Sequence, residues 1–143
     1  MTTISRSALL PYRARQVFDL VNDIETYPAY MDGCVGAEIL SRDAQYIEAR
    51  LDLAKGGITQ SFTTRNTMVG VEAITLELVD GPFEFFEGRW GFQALGDTAC
   101  KVTLHIEFTI NSSVLGVAAG KLFARVADNL VAAVSKRAKV IYG

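Results

Sequence analysis

The middle of the chain, from Gly36 to Ile110, alternates strand-forming segments with short turn-forming clusters, and this pattern limits what the chain can fold into. Short turns join neighbouring antiparallel strands, so the pattern predicts a meander of six strands. The segment from Thr2 to Leu10 is also strand-like and is stopped by Pro11, so we expect one antiparallel sheet of seven strands. The turn clusters are Ser41-Arg42-Asp43, Lys55-Gly56-Gly57, Val69-Gly70, Asp80-Gly81-Pro82 and Gly96-Asp97-Thr98.

Two of the predicted strands show that the sheet has one dry face. Every second residue from Val102 to Ile110 is apolar, and the residues between them are polar. The segment from Phe86 to Phe92 alternates in the same way. This alternation is typical of an antiparallel sheet with one buried and one solvated face. His105, the single histidine, belongs to the polar set and is predicted to face solvent.

A helical period follows the strands and predicts one long helix from Val114 to Ile141, with Asn111-Ser112-Ser113 as cap candidates. Gly116 and Gly120 are spaced for close packing of this helix on a neighbour. One face of the helix is apolar and includes Leu122, Val126 and Leu130. The opposite face carries four cations, namely Lys121, Arg125, Lys136 and Lys139.

Two short helices are predicted between the first strand and the meander. The first begins near Arg13 and ends at Asn22-Asp23, and the second covers Glu25 to Met31 with Pro28 inside it. The second helix carries Tyr27, Pro28 and Tyr30, which are either ordinary packing residues or an aromatic rim over a cavity. Arg137 lies in the apolar stripe of the long helix, either as a side chain that snorkels at the helix end or as a polar anchor at a cavity mouth.

The resulting fold class is α+β, with the apolar sheet face covered by the long helix. A curved sheet of seven strands is wider than one helix, so we expect a cavity between the two. We expect it between the face that carries Trp90 and the stripe of Leu122, Val126 and Leu130. The four cations would then point away from this cavity. Small residues that would leave room there are Gly88, Ala118, Ala119 and Ala133.

Composition excludes several classes of protein. The 143 residues fit a single domain, 1–143, that can bury a core without metal or disulfide staples. The 14 basic and 16 acidic residues give a net charge of −2, which argues against a surface that is basic throughout. No apolar run approaches the ~20 residues of a membrane span. No signal peptide is visible at the N-terminus, and we expect a cytoplasmic protein.

The sequence lacks the motifs of hydrolases, nucleotide-binding enzymes and zinc enzymes. One histidine and two distant cysteines do not provide metal-ligand spacing, so no metal site, cofactor or catalytic residue is predicted. Cys34 and Cys100 are expected to be reduced thiols in packed surroundings.

Several separated motifs together resemble the START-like, helix-grip proteins of the ubiquinone-binding chaperone and ribosome association toxin (RatA) family. The resemblance covers nearly the whole chain, with Asp32 and Gly33 replacing a stretch before the cysteine that often contains proline. The motifs are Ile4-Ser5-Arg6, Leu10-Pro11-Tyr12, Val21-Asn22-Asp23-Ile24, Tyr27-Pro28, Gly33-Cys34, Phe62-Thr63-Thr64-Arg65-Asn66, Leu78-Val79-Asp80-Gly81-Pro82-Phe83, Gly88-x-Trp90-x-Phe92 and Arg137-Ala138-Lys139.

The resemblance implies a non-enzymatic domain with a hydrophobic tunnel. Eukaryotic members of the family are associated with ubiquinone binding and respiration, and bacterial members with binding the large ribosomal subunit and blocking subunit association. The resemblance and the pattern of apolar faces together predict twelve ligand-binding residues. These are Tyr27, Pro28, Tyr30, Phe62, Phe83, Phe86, Trp90, Phe92, Leu122, Val126, Leu130 and Arg137.

Three functions follow, in this order. The first is binding of a ubiquinone-like polyprenyl lipid, with transient membrane contact to load it. The second is association with the large ribosomal subunit through the four helix cations, since the chain from Lys121 onward has five basic and one acidic residue (+4) and the rest has nine basic and fifteen acidic (−6). The third is an enzyme of the polyketide cyclase type, for which Gln60 and Thr64 are the inward polar candidates.

Overall fold

The computed structural model describes residues 1–111 and 113–143, so Ser112, one of the cap candidates, lies outside the described residues. The seven predicted strands form one antiparallel sheet in the order β1-β7-β6-β5-β4-β3-β2. Strands β2 to β7 are the predicted meander, and β1 pairs with β7. The strands are β1 (Thr2–Leu10), β2 (Cys34–Arg42), β3 (Tyr46–Lys55), β4 (Ile58–Val69), β5 (Ala73–Asp80), β6 (Phe83–Ala94) and β7 (Cys100–Ile110).

The two short helices lie where the sequence predicts them. Helix α1 (Ala14–Asn22) begins after Arg13, whose backbone N–H donates to the Gln16 Oε1 at 2.8 Å. A 3₁₀ helix (Ile24–Ala29) follows and contains Pro28. The buried Tyr27 hydroxyl donates to the Val21 carbonyl at the end of α1, so one side chain ties the two short helices together.

The predicted single C-terminal helix is wrong, because the chain forms two helices, α2 (Val114–Asp128) and α3 (Leu130–Tyr142), with a break at Asn129. The Asn129 side-chain amide donates to the Arg125 carbonyl at 2.9 Å and takes the place of a backbone donor. The Asn129 N–H instead reaches the Val126 carbonyl at 3.1 Å, which tightens the turn. Asp128 forms an ion pair with Arg6 of β1, so the break is tethered to the sheet.

Irregular pairing helps the sheet to curl around the helices. The register shifts within β2, at Thr63/Thr64 of β4 and at Phe83/Phe85 of β6. Bulges of this kind bend a strand and increase its twist. Helix α2 packs on β1, β3, β4 and β7, whereas α3 packs on α1, β1 and β7.

Helix α2 approaches the end of β7 closely, as the two glycines predict. Ser113 begins the helix, and its Oγ accepts the Gly116 N–H at 3.0 Å. A Cβ at Gly116 would overlap the Asn111 carbonyl, and one at Gly120 would overlap the Ile110 side chain. Only glycine allows the helix to sit this close to the strand end.

Gly120→Ala should lower the free energy of unfolding by about 1 kcal/mol, although alanine is the better helix former by ~1 kcal/mol. The overlap with Ile110 reverses that gain, since overpacking costs about 1–3 kcal/mol. Urea denaturation measures the change. In an Ile110→Ala background the same substitution should be neutral or stabilising. Equal effects in both backgrounds would contradict the close contact.

Candidate functional site

A cavity of about 650 Å³ opens between the β3–β4 turn and one flank of α2. This volume lies within the range of small-molecule sites. Its wall is mainly hydrocarbon, and its rim carries three cations. The lining residues are Lys55, Gly56, Ile58, Val117, Ala118, Lys121, Leu122 and Arg125.

The strand side of the cavity is built by a tight turn. Gly56 and Gly57 have φ values of +61° and +81°, which non-glycine residues rarely adopt. Two consecutive positive φ values are typical of a two-residue hairpin loop. The turn therefore pairs Lys55 directly with Ile58, and both side chains line the cavity. A charged residue and an aliphatic residue thus share one wall.

The helix side consists of two adjacent rows on α2. Val117, Lys121 and Arg125 are spaced four residues apart, and Ala118 and Leu122 form the second row. Residues at this spacing stack along one helix face. The second row is mostly buried and forms the wall, whereas the first row is exposed at the rim. The short Ala118 side chain, which we expected to leave room, does line the cavity.

One carboxylate moderates the charge at the rim. Asp32, at the end of the loop before β2, forms an ion pair with Lys55. The hydrogen bond and the charge of Lys55, with a smaller contribution from Arg125, hold the pKa of Asp32 below its usual value. Asp32 therefore stays ionised at neutral pH. In the described part of the chain, neither Lys121 nor Arg125 has a carboxylate within 4.0 Å.

The expectation that all four helix cations point away from the cavity is wrong for two of them. Lys121 and Arg125 lie on the rim, whereas Lys136 and Lys139 are exposed on α3 and do not line the cavity. The reason is the curl of the sheet, which brings the β3–β4 turn beside the flank of α2. A flank that a helical wheel assigns to solvent therefore faces the protein.

The cavity is also not where the sequence predicts it, because aromatic side chains fill the space between α2 and the middle of the sheet. Phe123 of α2 lies at the centre of this group, with ring centroids 5.0–5.7 Å from four other rings. All four contacts are edge-to-face or nearly so, as aromatic packing favours. The four partners are Phe62, Phe83, Phe86 and Phe108, three of which were predicted ligand contacts.

Trp90 does not line the cavity, contrary to expectation. Its side chain is 3% exposed and stacks on Phe92 with centroids 6.2 Å apart. Phe92 in turn meets the edge of Phe18 of α1 at 5.6 Å. Helix α1 therefore fills the space that we expected to be empty. Gly88 leaves no room either, because a Cβ there would lie 2.9 Å from Leu76.

The predicted aromatic rim also lies away from the cavity. Tyr27 is a buried packing residue, Pro28 is exposed, and Tyr30 meets the edge of Tyr27 at 6.2 Å. The Arg137 guanidinium lies 5.2 Å from the centre of the Tyr30 ring, which is a cation–π contact. Arg137 thus covers the 3₁₀ helix and does not anchor the cavity mouth. Burial raises the pKa of both tyrosines.

Of the twelve predicted ligand contacts, Leu122 alone lines the cavity. Val126 is buried against Gly33, where an added Cβ would lie 2.8 Å from its Cγ2, and Leu130 is half-buried after the break. The sequence analysis missed Lys55, Ile58 and Val117. The adjacent Gly56-Gly57 turn and the spacing of Val117, Lys121 and Arg125 were signals, but only the folded sheet brings them together.

The cavity offers little for acid–base chemistry. Within the described residues its wall has no carboxylate, imidazole or hydroxyl group. Gln60 and Thr64 lie outside it, with Gln60 donating to the Ser61 carbonyl and Thr64 to Asn66 Oδ1. His105 is exposed as predicted, 3.0 Å from Glu107. What this arrangement can do is hold an apolar body and place cations beside its polar end.

The remaining reactive groups do not form a second centre in the described part of the chain. Cys34 and Cys100 are buried free thiols, as predicted, and burial raises the pKa of both. No group of three or more His, Cys, Asp or Glu residues there is placed to hold a metal ion. None of the described helices has the combined length and hydropathy of a membrane span.

The sequence profile of the family described as polyketide cyclase / dehydrase and lipid transport matches residues 10–135. The chain belongs to this family. It is 40% identical over 142 residues to the ribosome association toxin RatA of Escherichia coli, covering 99% of this chain and 90% of that protein. It is 43% identical over 142 residues to RatA of Pseudomonas aeruginosa, covering 99% of each chain.

A more distant relative and a solved structure are also similar to this chain. The mitochondrial coenzyme Q-binding protein COQ10 homolog B of Xenopus laevis is 24% identical over 144 residues, which are 97% of this chain and 59% of that protein. The Zhui aromatase/cyclase from Streptomyces superposes with a TM-score of 0.83 at 16% identity, over 96% of this chain and 93% of that one. These similarities confirm the START-like helix-grip fold and the predicted family.

Phe123→Ala should lower the free energy of unfolding by about 3–5 kcal/mol, because it removes the ring that four other phenylalanines surround. Phe85→Ala is the matched control, since Phe85 is 36% exposed. Phe85→Ala should lower the free energy of unfolding much less than Phe123→Ala does. Guanidinium denaturation of both variants measures the difference. Similar losses for the two would mean that Phe123 is not the centre of the core.

Proposed function

We propose that the protein is a non-enzymatic binding protein that holds an apolar small molecule in the cavity between the β3–β4 turn and α2. The composition of the wall carries this proposal, since Ile58, Val117, Ala118 and Leu122 supply hydrocarbon and no acid–base pair is present among the described lining residues. The family description includes lipid transport, and one relative is named as a coenzyme Q-binding protein. A ubiquinone-like polyprenyl lipid is the ligand we propose.

The energetics of such a ligand fit a carrier. Burying a few hundred Å² of isoprenoid tail gains several kcal/mol relative to water, at ~25 cal/mol per Å². In a bilayer the isoprenoid tail is already shielded from water, so the free energy gained by moving it from the bilayer into the cavity is small. A binding site of this kind can therefore both take up and release its cargo. The rim cations are placed to donate hydrogen bonds to carbonyl oxygens of the head group.

Ala118→Trp should weaken binding of a quinone with an isoprenoid tail at least tenfold, because the indole occupies the cavity. Ala132→Trp is the matched control, since Ala132 is exposed on α3 and outside the cavity. Native mass spectrometry of the full chain with the quinone and with its tail-less head group measures both variants.

The parent should prefer the tail-bearing quinone, because tail burial is the main favourable contribution. Equal affinity for the two compounds would contradict this and favour head-group chemistry, as in a cyclase. Equal binding by Ala118→Trp and Ala132→Trp would place the ligand elsewhere.

A second candidate function is association with the large ribosomal subunit. Relatives that are 40–43% identical over 99% of this chain are named ribosome association toxins. The chain offers Lys136 and Lys139 on the exposed face of α3, where no described carboxylate forms an ion pair with either. Cations at this density suit rRNA phosphates. This surface does not overlap the cavity.

Replacing both Lys136 and Lys139 with Gln should weaken cosedimentation with large ribosomal subunits. The salt dependence should flatten by about one unit of slope for each lost phosphate contact. Lys101→Gln is the control, since Lys101 is exposed on the sheet. Unchanged cosedimentation of the double variant at every salt concentration would exclude the α3 face as the ribosomal contact.

A further inference from the structure

The rim of the cavity combines two kinds of exposed side chain that soluble surfaces usually keep apart. Ile58 of the β3–β4 turn and Val117 of α2 are 36% and 38% exposed, and both line the cavity. Lys55, Lys121 and Arg125 surround them. We call these five residues the mouth. Exposed aliphatic groups framed by cations are typical of a surface that meets a lipid interface.

The charge of the mouth is opposite to that of the whole protein. The chain has a net charge of −2, whereas the mouth has three cations and one neighbouring carboxylate, Asp32. Asp32 is committed to Lys55, which leaves Lys121 and Arg125 to meet an external anion. This local excess of positive charge complements an anionic lipid surface.

We infer that the mouth docks on a bilayer that contains anionic lipids, with Ile58 and Val117 inserted among the head groups and Lys121 and Arg125 on the lipid phosphates. The inference rests on the proposed function, because the opening of the ligand cavity lies at the centre of the docked surface. In this orientation an apolar ligand passes between bilayer and cavity without crossing water. The cations act as the lipid contact and the aliphatic pair as the anchor.

The aliphatic pair distinguishes a bilayer from RNA as the partner of this surface. Surfaces that bind RNA use cations to contact the phosphates and aromatic side chains to stack on the bases. Ile58 and Val117 provide neither, whereas insertion into the head-group region removes their apolar surface from water. Lys136 and Lys139 on α3 also lie near exposed aliphatic residues, Val140 and Ile141, but they do not line the cavity. The mouth differs from the α3 surface in that its aliphatic pair and its cations frame the opening through which a ligand enters.

The test uses flotation of the full chain with phosphatidylcholine vesicles, with and without phosphatidylglycerol. The parent should bind the anionic vesicles more tightly, and salt should weaken this binding. Lys121→Gln/Arg125→Gln should lose about tenfold or more in affinity for anionic vesicles, since each cation near such a surface contributes about fivefold. Lys136→Gln/Lys139→Gln, the matched control, should bind like the parent.

Two further variants test the parts of the mouth separately. Asp32→Asn should strengthen binding to anionic vesicles, because it frees Lys55. Ile58→Ser should weaken binding by a factor that salt does not change, because it removes apolar contact only. Val79→Ser is its control, since Val79 is 52% exposed on β5, outside the mouth. Circular dichroism shows whether each variant is folded.

Several outcomes would overturn the inference. These are equal binding to neutral and anionic vesicles, equal losses for the two cation pairs, or a mouth variant that loses ribosome binding but keeps vesicle binding. Quinone uptake without vesicles is measured on the parent as well as on the variants. A parent that takes up quinone but does not bind anionic vesicles refutes the docking alone, whereas a parent that binds the vesicles but takes up no quinone refutes the proposed function.

Discussion

The packing of Phe123 into the concave face of the sheet is the contact on which the rest of the structure depends. Its ring joins β4, β6 and β7 to α2 through four other phenylalanines. The helix can reach this depth because Gly116 and Gly120 lack the side chains that would strike Asn111 and Ile110. Aromatic rings pack closely beneath the helix, and the cavity lies instead on the flank of α2.

This position gives the cavity its chemical character. A cavity over the centre of the sheet would be lined by aromatic rings, whereas the flank of α2 supplies Val117, Ala118 and Leu122 with Lys121 and Arg125 at the edge. The result is a hydrocarbon wall under a basic rim. Such a site suits an amphiphile whose tail is buried and whose polar end stays near water.

The same fold supports catalysis in the Zhui aromatase/cyclase, so the fold alone does not decide between enzyme and carrier. The side chains around the cavity are the feature that bears on this choice. Proton transfer needs a group that can give and accept a proton within reach of the substrate. The described wall of this cavity offers ammonium and guanidinium groups and hydrocarbon, and Thr64 is occupied by Asn66 outside it. This wall is the feature on which the proposed carrier function rests.

The break at Asn129 divides the four helix cations between two helices. Lys121 and Arg125 lie on α2 at the cavity and Lys136 and Lys139 lie on α3, and Asp128, which forms an ion pair with Arg6, lies between the two pairs in the sequence.

The sequence by itself determined the strands, their antiparallel order, the outward His105 and the close approach at Gly116 and Gly120, because alternation, turn residues and glycine spacing act over a few neighbouring positions. It also indicated the family. Only the tertiary structure decided where the cavity lies. Phe123, Trp90 and Leu122 are all apolar in the sequence, but Phe123 lies at the centre of the core, Trp90 stacks on Phe92 and Leu122 lines the cavity. Their difference arises from the curl of the sheet, which brings together residues that are far apart in the sequence and that local patterns cannot connect.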